Sequence, residues 1–179
     1  LKHGVEFDNG VSLTLMYRKP ATTFNQKAEV LYQQNVLSVM EEVWHKEGER
    51  IDLVIFLNGI AIFTFELKCN TSGQNYEDAI RQYKFERDYK TRLLKFKAGC
   101  LAHFAMDLNE VYMCTNLKGK SSFFLPFNKG CGVGIHSGKG NPHNENGINV
   151  SYMWEDILKK DTVLYLIDKI IFLQKETKK

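Results

Sequence analysis

The sequence predicts an α/β fold in which a mixed β-sheet is flanked by helices. The first observation is the stretch 50–68, where two apolar runs rich in Ile, Val and Phe are separated by Asn58 and Gly59. This dipeptide between apolar runs is the strongest short signal for a β-hairpin. The second observation is that patterns with helical and strand periods alternate on both sides of the hairpin.

The N-terminal third predicts a strand, a helix and a second strand. Alternating residues in 11–16 indicate a short strand that Pro20 closes. Residues 23–34 have helical spacing, and the predicted inner face consists of Phe24, Ala28, Leu31 and Tyr32. The pattern after Asn35 could extend this helix or form a strand, and we predict a strand at about 36–45.

Beyond the hairpin, the pattern predicts a helix, three strands and a C-terminal helical region. The predicted segments are a helix at about 75–88, strands at 100–106 and 111–117, a third strand in S-F-F-L-P-F, a long Gly/Asn loop at 128–148 and helical structure from about 152 to 174. Pro126 places the third strand at an edge or a strand end. Asp161 or Thr162 is the predicted cap of the second C-terminal helical segment.

The composition is that of one globular domain of ordinary size. The chain has 179 residues, of which 44% are hydrophobic and 25% charged. Its net charge of +3 is too small to indicate nucleic-acid binding without a local patch. The four cysteines form no C-x-x-C pair, and no apolar run has membrane-spanning length, so we expect a reduced, cytoplasmic protein. Because the chain begins at Leu1, we interpret it as a fragment of a longer protein.

Three charged residues interrupt the apolar hairpin. Glu66 and Lys68 are two residues apart and would share one face of a strand, while Asp52 belongs to the opposite strand. Because unpartnered buried charges are costly, we expect these groups to meet around a divalent cation. A plain two-residue loop would pair Asp52 with Phe65 and turn Glu66 away. We therefore predict that a three-residue loop or a bulge near Gly59 shifts the register by one.

Two carboxylates and an amine are suited to phosphodiester hydrolysis. Asp52 and Glu66 supply the hard oxygen ligands that Mg²⁺ prefers, and such an ion polarises a phosphoryl oxygen and acidifies a bound water. Lys68 could orient that water or stabilise negative charge in the transition state. The alternative is a surface ion pair at the end of an edge strand. The apolar setting and the helix that follows favour the metal site.

The run D-L-V-I-F-L-N-G…F-E-L-K resembles the PD-(D/E)XK nuclease core, and most closely the N-terminal nuclease domain of the R subunit of type I restriction enzymes. The resemblance extends over about residues 30–172 and includes E-D-A-I-R-Q-Y-K, R-D-Y, C-L-A-H-F-A-M-D, V-Y-M-C-T-N-L, F-L-P-F-N-K-G and G-K-G-N-P. It implies a restriction-endonuclease-like fold with a central mixed sheet. It also implies that Asp52 and Glu66 are metal ligands and that Lys68 is the catalytic lysine.

This chain departs from the family pattern at two places. Ile51 stands where the motif name has Pro, a position that varies freely in this fold. Many R subunits carry Q-x-x-x-Y on the next helix, and here Gln82 fits as a catalytic residue but position 86 is Glu. Tyr83 and Tyr89 are the nearby tyrosines, and the tyrosine role is left unassigned.

The resemblance implies a Mg²⁺-dependent type I site-specific deoxyribonuclease. In such a complex, DNA cleavage depends on ATP-driven translocation by helicase domains expected downstream, and the modification (M) and specificity (S) subunits are partners. Two alternatives remain open at this point. One is a non-cleaving module that docks DNA or the motor, and the other is a resolvase-like repair nuclease on the same core.

Several charged residues outside the hairpin are further candidates. Arg87 could contact a phosphate or could be a solvated helix charge. Glu29 on the first helix could assist the metal or its water, with Glu42 as the alternate, although an ordinary exposed Glu would have the same pattern. Lys129 and Lys139 in the Gly loop could meet DNA phosphates, or the loop could be solvated.

Two other site types do not fit the sequence. The Gly loop lacks the G-x-x-x-x-G-K-[ST] spacing of a phosphate-binding loop, so we exclude an ATP site in this chain. Cys131, His136 and His143 fit no standard zinc spacing. His103 belongs to a predicted strand and not to such a cluster.

Overall fold

The computed structural model describes residues 1–22, 24–132, 134 and 137–173, which form two compact units. The first unit comprises Leu1–Leu37 and the chain from Met153 onward, and the second comprises Ser38–Tyr152. The elements in chain order are β1 (Val5–Glu6), β2 (Ser12–Leu13), α1 (Gln26–Gln33), β3 (Leu37–Lys46), β4 (Glu49–Leu57), β5 (Ile60–Leu67), α2 (Tyr76–Arg81), β6 (Ala102–Met106), β7 (Val111–Cys114), β8 (Leu125–Pro126) and α3 (Lys160–Tyr165).

Short helical turns extend these elements. Gln82–Glu86 continues α2 as a π-helical turn, Met153–Ile157 and Leu166–Ile170 form π-helical turns before and after α3, and Asn70–Ser72 forms a 3₁₀ turn. The predicted helix at about 75–88 is therefore confirmed with shorter bounds. The helical region predicted at about 152–174 is confirmed as far as Ile170, and residue 174 lies outside the described residues.

In the first unit, two sequence predictions are wrong. The helix at 23–34 is confirmed as α1, but Phe24 is 93% exposed, so the predicted inner face is wrong there and only Tyr32 of that face is buried. Asn25 begins the helix because its Oδ1 accepts a hydrogen bond from the Ala28 amide at 3.1 Å. Phe24 precedes this cap and lies outside the helical repeat.

The predicted cap of the C-terminal helix is also wrong. α3 begins after Lys159, whose side chain makes no capping hydrogen bond. The Asp161 carboxylate instead accepts hydrogen bonds from the Tyr32 hydroxyl at 2.6 Å and from Lys19 Nζ at 3.1 Å. These partners lie far away in sequence, which explains why a local rule did not find them.

The second unit is built on a six-stranded sheet with the order β3-β4-β5-β6-β7-β8. β5 pairs in parallel with β6, whereas the pairs β4–β5, β6–β7 and β7–β8 are antiparallel. The mixed sheet, the strand at about 36–45 and the strands at 100–106 and 111–117 are confirmed, the last two with shorter bounds. Pro126 lies in β8 at the sheet edge, as predicted, where its missing N–H costs no ladder hydrogen bond.

The parallel pair is connected through α2, so β5, α2 and β6 form a βαβ unit. A buried cluster of Ile51, Val54, Tyr83, Leu94, Cys114 and Leu117 joins the sheet to the segments that follow β5 and β7. Burial of each large apolar side chain contributes roughly 1.5–3 kcal/mol. This cluster anchors the π-helical turn that carries Tyr83. It thereby positions the end of that turn near the carboxyl ends of β5 and β6.

Candidate functional site

The hairpin between β4 and β5 turns through two residues in left-handed conformation. Asn58 has φ 50° and Gly59 has φ 80°, as a type I′ turn requires, and Leu57 pairs with Ile60 across it. Asn tolerates this region better than other non-glycine residues, and Gly adopts it without steric cost. The strongest local signal in the sequence therefore forms the structure it predicts.

A bulge close to this turn changes the register. Phe56 pairs with Ala61, but the next residue, Ile55, pairs with Phe63, which leaves Ile62 as the extra residue of β5. The predicted shift by one residue is confirmed. It arises from a bulge after a two-residue turn, not from a longer loop.

The shifted register brings the two hairpin carboxylates to one face. Leu53 pairs with Phe65, and continuing that register by one residue places Asp52 opposite Glu66. Directly opposed residues of an antiparallel pair share a face of the sheet. Asp52 Oδ2 also accepts a hydrogen bond from the Leu67 amide at 2.7 Å, which ties this carboxylate to the end of β5.

Glu66 lies in the interior and has no exposed surface. Burial raises the pKa of its carboxyl to about 7, and the nearby negative charge of Asp52 adds to this effect, while the hydrogen bonds from Arg87 oppose it. The site thus holds two close carboxylates, one of them buried, and it favours a positive partner.

Arg87 is that partner in this structure. Its Nε donates to Glu66 Oε1 at 2.7 Å and its Nη2 donates to Oε2 at 3.3 Å, and the Arg87 side chain is only 10% exposed. Burial tends to lower the pKa of Arg87, but the hydrogen bonds and charge of Glu66 outweigh it and raise that pKa. The alternative in which Arg87 is a solvated helix charge is therefore wrong. The phosphate contact of Arg87 stays a prediction.

Lys68 is the first residue after β5. Its backbone amide donates to the Met106 carbonyl at 2.9 Å, which extends the parallel pairing and holds Lys68 beside the end of β6. The two-residue period of a strand puts its side chain on the same face as that of Glu66. Within the described residues, the Lys68 ammonium forms no ion pair, so the charge is available to a ligand.

A row of buried, hydrogen-bonded polar side chains lies on the same face of the sheet as Glu66, two residues earlier along β5. The Tyr83 hydroxyl is 2.9 Å from Thr64 Oγ1, which is 2.8 Å from His103 Nδ1. Burial lowers the pKa of His103 to about 3, so this imidazole is neutral at physiological pH. The sequence did not predict these hydrogen bonds. The local signal for these contacts is a polar residue between apolar neighbours in each strand, Thr64 in β5 and His103 in β6, and the parallel register pairs the two residues.

Gln82 begins the π-helical turn that also carries Tyr83. Its Oε1 is buried and has no hydrogen-bond partner among the described residues. A buried amide oxygen without a partner is costly, so this atom could act as a ligand oxygen or accept a hydrogen bond from a bound group. The helix before it starts with a capping box, in which Asn75 accepts from backbone amides and Asp78 accepts from the Asn75 amide.

The remaining acidic candidates lie on other elements of the chain. Glu29 is on α1 in the first unit, where its Oε1 accepts from Gln33 Nε2 at 2.8 Å. Glu42 lies on β3 and pairs with Arg50 at 3.0 Å. The auxiliary acid role of Glu29, with Glu42 as the alternate, stays a prediction.

In the Gly loop, the two lysines are exposed. Lys129 places Nζ 5.1 Å from the centre of the Tyr152 ring, and the Lys139 carbonyl accepts from the Cys131 amide at 3.0 Å. His136 lies outside the described residues, His143 is exposed, and His103 is in β6 as expected. The four cysteines are free thiols.

The site fits a hard divalent cation. Among the described residues, no group of three or more His, Cys, Asp or Glu side chains is assembled, which disfavours a zinc-type cage there. Mg²⁺ keeps several waters and commonly binds through one or two carboxylates. Asp52 and Glu66 supply such a pair, and the unpartnered oxygen of Gln82 is a further polar group on the adjacent turn. Lys68 supplies a cationic group on the same face.

The mixed six-stranded sheet with few helices is consistent with a restriction-endonuclease-like fold. The family model described as type I restriction enzyme R protein N terminus (HSDR_N) matches residues 13–122, more than half of the chain. The chain belongs to this family, and its match indicates a nuclease-type domain of a restriction enzyme. No curated protein matches the chain. In the described part of the chain, no helix is both long and apolar enough to cross a membrane.

Proposed function

We propose that this chain is the Mg²⁺-dependent DNA endonuclease domain of a type I restriction R subunit. Family membership supports the restriction context, and the register shift that sets Asp52 opposite Glu66 is the observation that carries the nuclease assignment. Without the bulge at Ile62, one carboxylate would face the other side of the sheet.

In the proposed mechanism, Asp52 and Glu66 would hold the cation. A bound Mg²⁺ would supply an acidified water and a polarised phosphoryl oxygen. Lys68 orients the attacking water or neutralises charge that develops on the phosphate oxygens. Gln82 contributes its amide to the same region as a further catalytic residue. Hydrolysis adds water across one P–O bond, with hydroxyl bound to phosphorus and the proton transferred to the leaving oxygen.

The remaining proposed roles are DNA contacts, an auxiliary acid and the other subunits of the complex. Arg87, Lys129 and Lys139 are proposed phosphate contacts, and Glu29 is the proposed auxiliary acid. DNA is the substrate, and the M and S subunits are the proposed partners that provide sequence recognition. ATP is consumed by motor domains and not by this chain, whose Gly loop lacks the phosphate-binding spacing.

Plasmid nicking tests the assignment directly. We expect Mg²⁺ and ATP to support nicking of supercoiled DNA by the wild-type R subunit assembled with the M and S subunits, and not by Asp52→Asn or Lys68→Ala in the same complex. Asp52→Asn should also lose metal binding, whereas Lys68→Ala should keep it, because the amine is not a ligand. Lys95→Ala is the matched control, since Lys95 is an exposed lysine of the second unit outside the site. Undiminished nicking by Lys68→Ala would refute the role of this lysine.

One observation favours a second candidate, a non-cleaving module that docks DNA or the motor. Glu66 already has a cation in place, because Arg87 binds both of its carboxylate oxygens. In that case the wild type would bind duplex DNA with equal affinity with and without divalent metal, and it would not nick. Metal-dependent nicking excludes this candidate.

A further inference from the structure

The ion pair between Arg87 and Glu66 occupies the position where the proposed metal ligand is needed. The guanidinium reaches both Glu66 oxygens, at 2.7 and 3.3 Å, and the Glu66 side chain is completely buried. Asp52 precedes Leu53, which pairs with Phe65, so the continued register sets Asp52 across from Glu66. Arg87 is thus the hydrogen-bonded cation of Glu66, and the three side chains Asp52, Glu66 and Arg87 together carry one net negative charge when all are ionised.

A divalent cation and this guanidinium cannot both sit close to Glu66 at low cost. A bound divalent cation would change the net charge of these three side chains from negative to positive. The two cations would also repel each other at a place that bulk water does not screen. Conversely, leaving Glu66 with neither cation would bury an uncompensated charge. The two cations are therefore alternatives for the same carboxylate.

The local backbone allows Arg87 to change partners without unfolding. The π-helical turn ends at Glu86, and Arg87 has the extended angles φ −110° and ψ 130°. The next residue is fixed, because the Asp88 amide donates to Glu49 Oε2 at 2.7 Å. The Arg87 side chain retains 10% exposure, so rotation about its own side-chain bonds can bring the guanidinium to solvent.

We propose that Arg87 is a displaceable counter-ion. Arg87 neutralises Glu66 while the metal is absent, and it is released when a divalent cation takes the carboxylate. The freed guanidinium then binds a backbone phosphate of the DNA, for which its planar fork of donors is suited. Metal binding and DNA binding are thereby coupled through one side chain. This inference rests on the proposed function, since it assumes that Glu66 is a metal ligand.

Metal affinity distinguishes a displaceable partner from a fixed support. Mn²⁺ binding is measured calorimetrically for the wild type, Arg87→Gln and the control Arg81→Gln at about pH 8.5, where protons compete little with the metal for a carboxylate. Arg81 is a matched control because it is 68% exposed and pairs only loosely with Glu86, at 3.5 Å. We expect Arg87→Gln to bind Mn²⁺ roughly ten-fold more tightly, the size of effect that removal of a charge-assisted competitor produces. The control should match the wild type. Equal or weaker binding by Arg87→Gln overturns the proposal and makes Arg87 a fixed positioning residue.

DNA binding supplies the second readout. The affinity for a short DNA duplex is measured with and without Ca²⁺. With Ca²⁺, Arg87→Gln should bind the duplex several-fold more weakly than the wild type. Without divalent metal, the two proteins should bind it equally. A loss of equal size in both conditions contradicts the coupling.

A measurement on the wild type removes the dependence on variant folding. The Arg87 Nε–H resonance reports its hydrogen bond to Glu66, and titration with Mg²⁺ should shift it towards the position of a solvated arginine. A resonance that stays unchanged while Mg²⁺ binds refutes the exchange. Absence of Mg²⁺ or Mn²⁺ binding by the wild type is a different result, which refutes the proposed metal site itself.

Discussion

Replacement of Glu66 by Gln should make the stability of the protein less dependent on pH. The wild-type carboxyl is buried, and its pKa rises from 4.5 to about 7 on folding because burial disfavours the charged form. The folded state therefore holds a proton that the unfolded state releases between these two pH values. Stability due to this group is fully present below pH 4.5 and is lost as the pH rises to about 7.

The magnitude follows from the size of the pKa change. Each pKa unit corresponds to about 1.36 kcal/mol, so ionisation of folded Glu66 costs ~3 kcal/mol across this window. Gln has a similar shape and does not ionise. The wild type should lose ~3 kcal/mol more stability than Glu66→Gln between about pH 4.5 and pH 8.

Urea unfolding at a series of pH values, without divalent metal, measures this difference. Glu47→Gln is the control, because Glu47 is exposed in the turn between β3 and β4, and this variant should follow the wild-type pH profile. Parallel profiles for the wild type and Glu66→Gln would refute the reasoning. They would mean that Arg87 compensates the buried charge completely.

Three further substitutions test interactions that stabilise the structure around the site. Tyr83→Phe should cost ~1 kcal/mol of unfolding free energy in urea, because it removes the buried hydroxyl 2.9 Å from Thr64 Oγ1, and an unchanged midpoint would exclude that bond as a support. Asn75→Ala should cost ~1 kcal/mol in the same assay, since it removes the capping box of α2, whereas Asn75→Asp should retain most of the stability. Gly59→Ala should cost ~1 kcal/mol because the turn requires φ 80° there, and equal thermal midpoints would argue against the I′ turn.

The sequence determined the hairpin, the helix that follows it and most of the strands. These features depend on local rules, in which a turn dipeptide, a capping residue and the spacing of apolar residues act within a few positions of one another. The register shift could also be inferred, because Asp52 and Glu66 had to converge for their charges to be matched. The exceptions in the fold were the exposed Phe24 and the cap assigned to Asp161, which binds Tyr32 and Lys19 instead.

Only the tertiary structure decided which groups surround the carboxylates. The bidentate contact between Arg87 and Glu66 joins residues separated by 21 positions, and the Thr64–His103 contact joins residues separated by 39. No periodicity encodes such contacts, since they depend on where the π-helical turn ends and on how β5 and β6 are aligned. Burial then raises the pKa of Glu66, which is a property of its surroundings and not of the residue type. The sequence thus specified Asp52, Glu66 and Lys68. The packing of the chain placed the Arg87 guanidinium against Glu66.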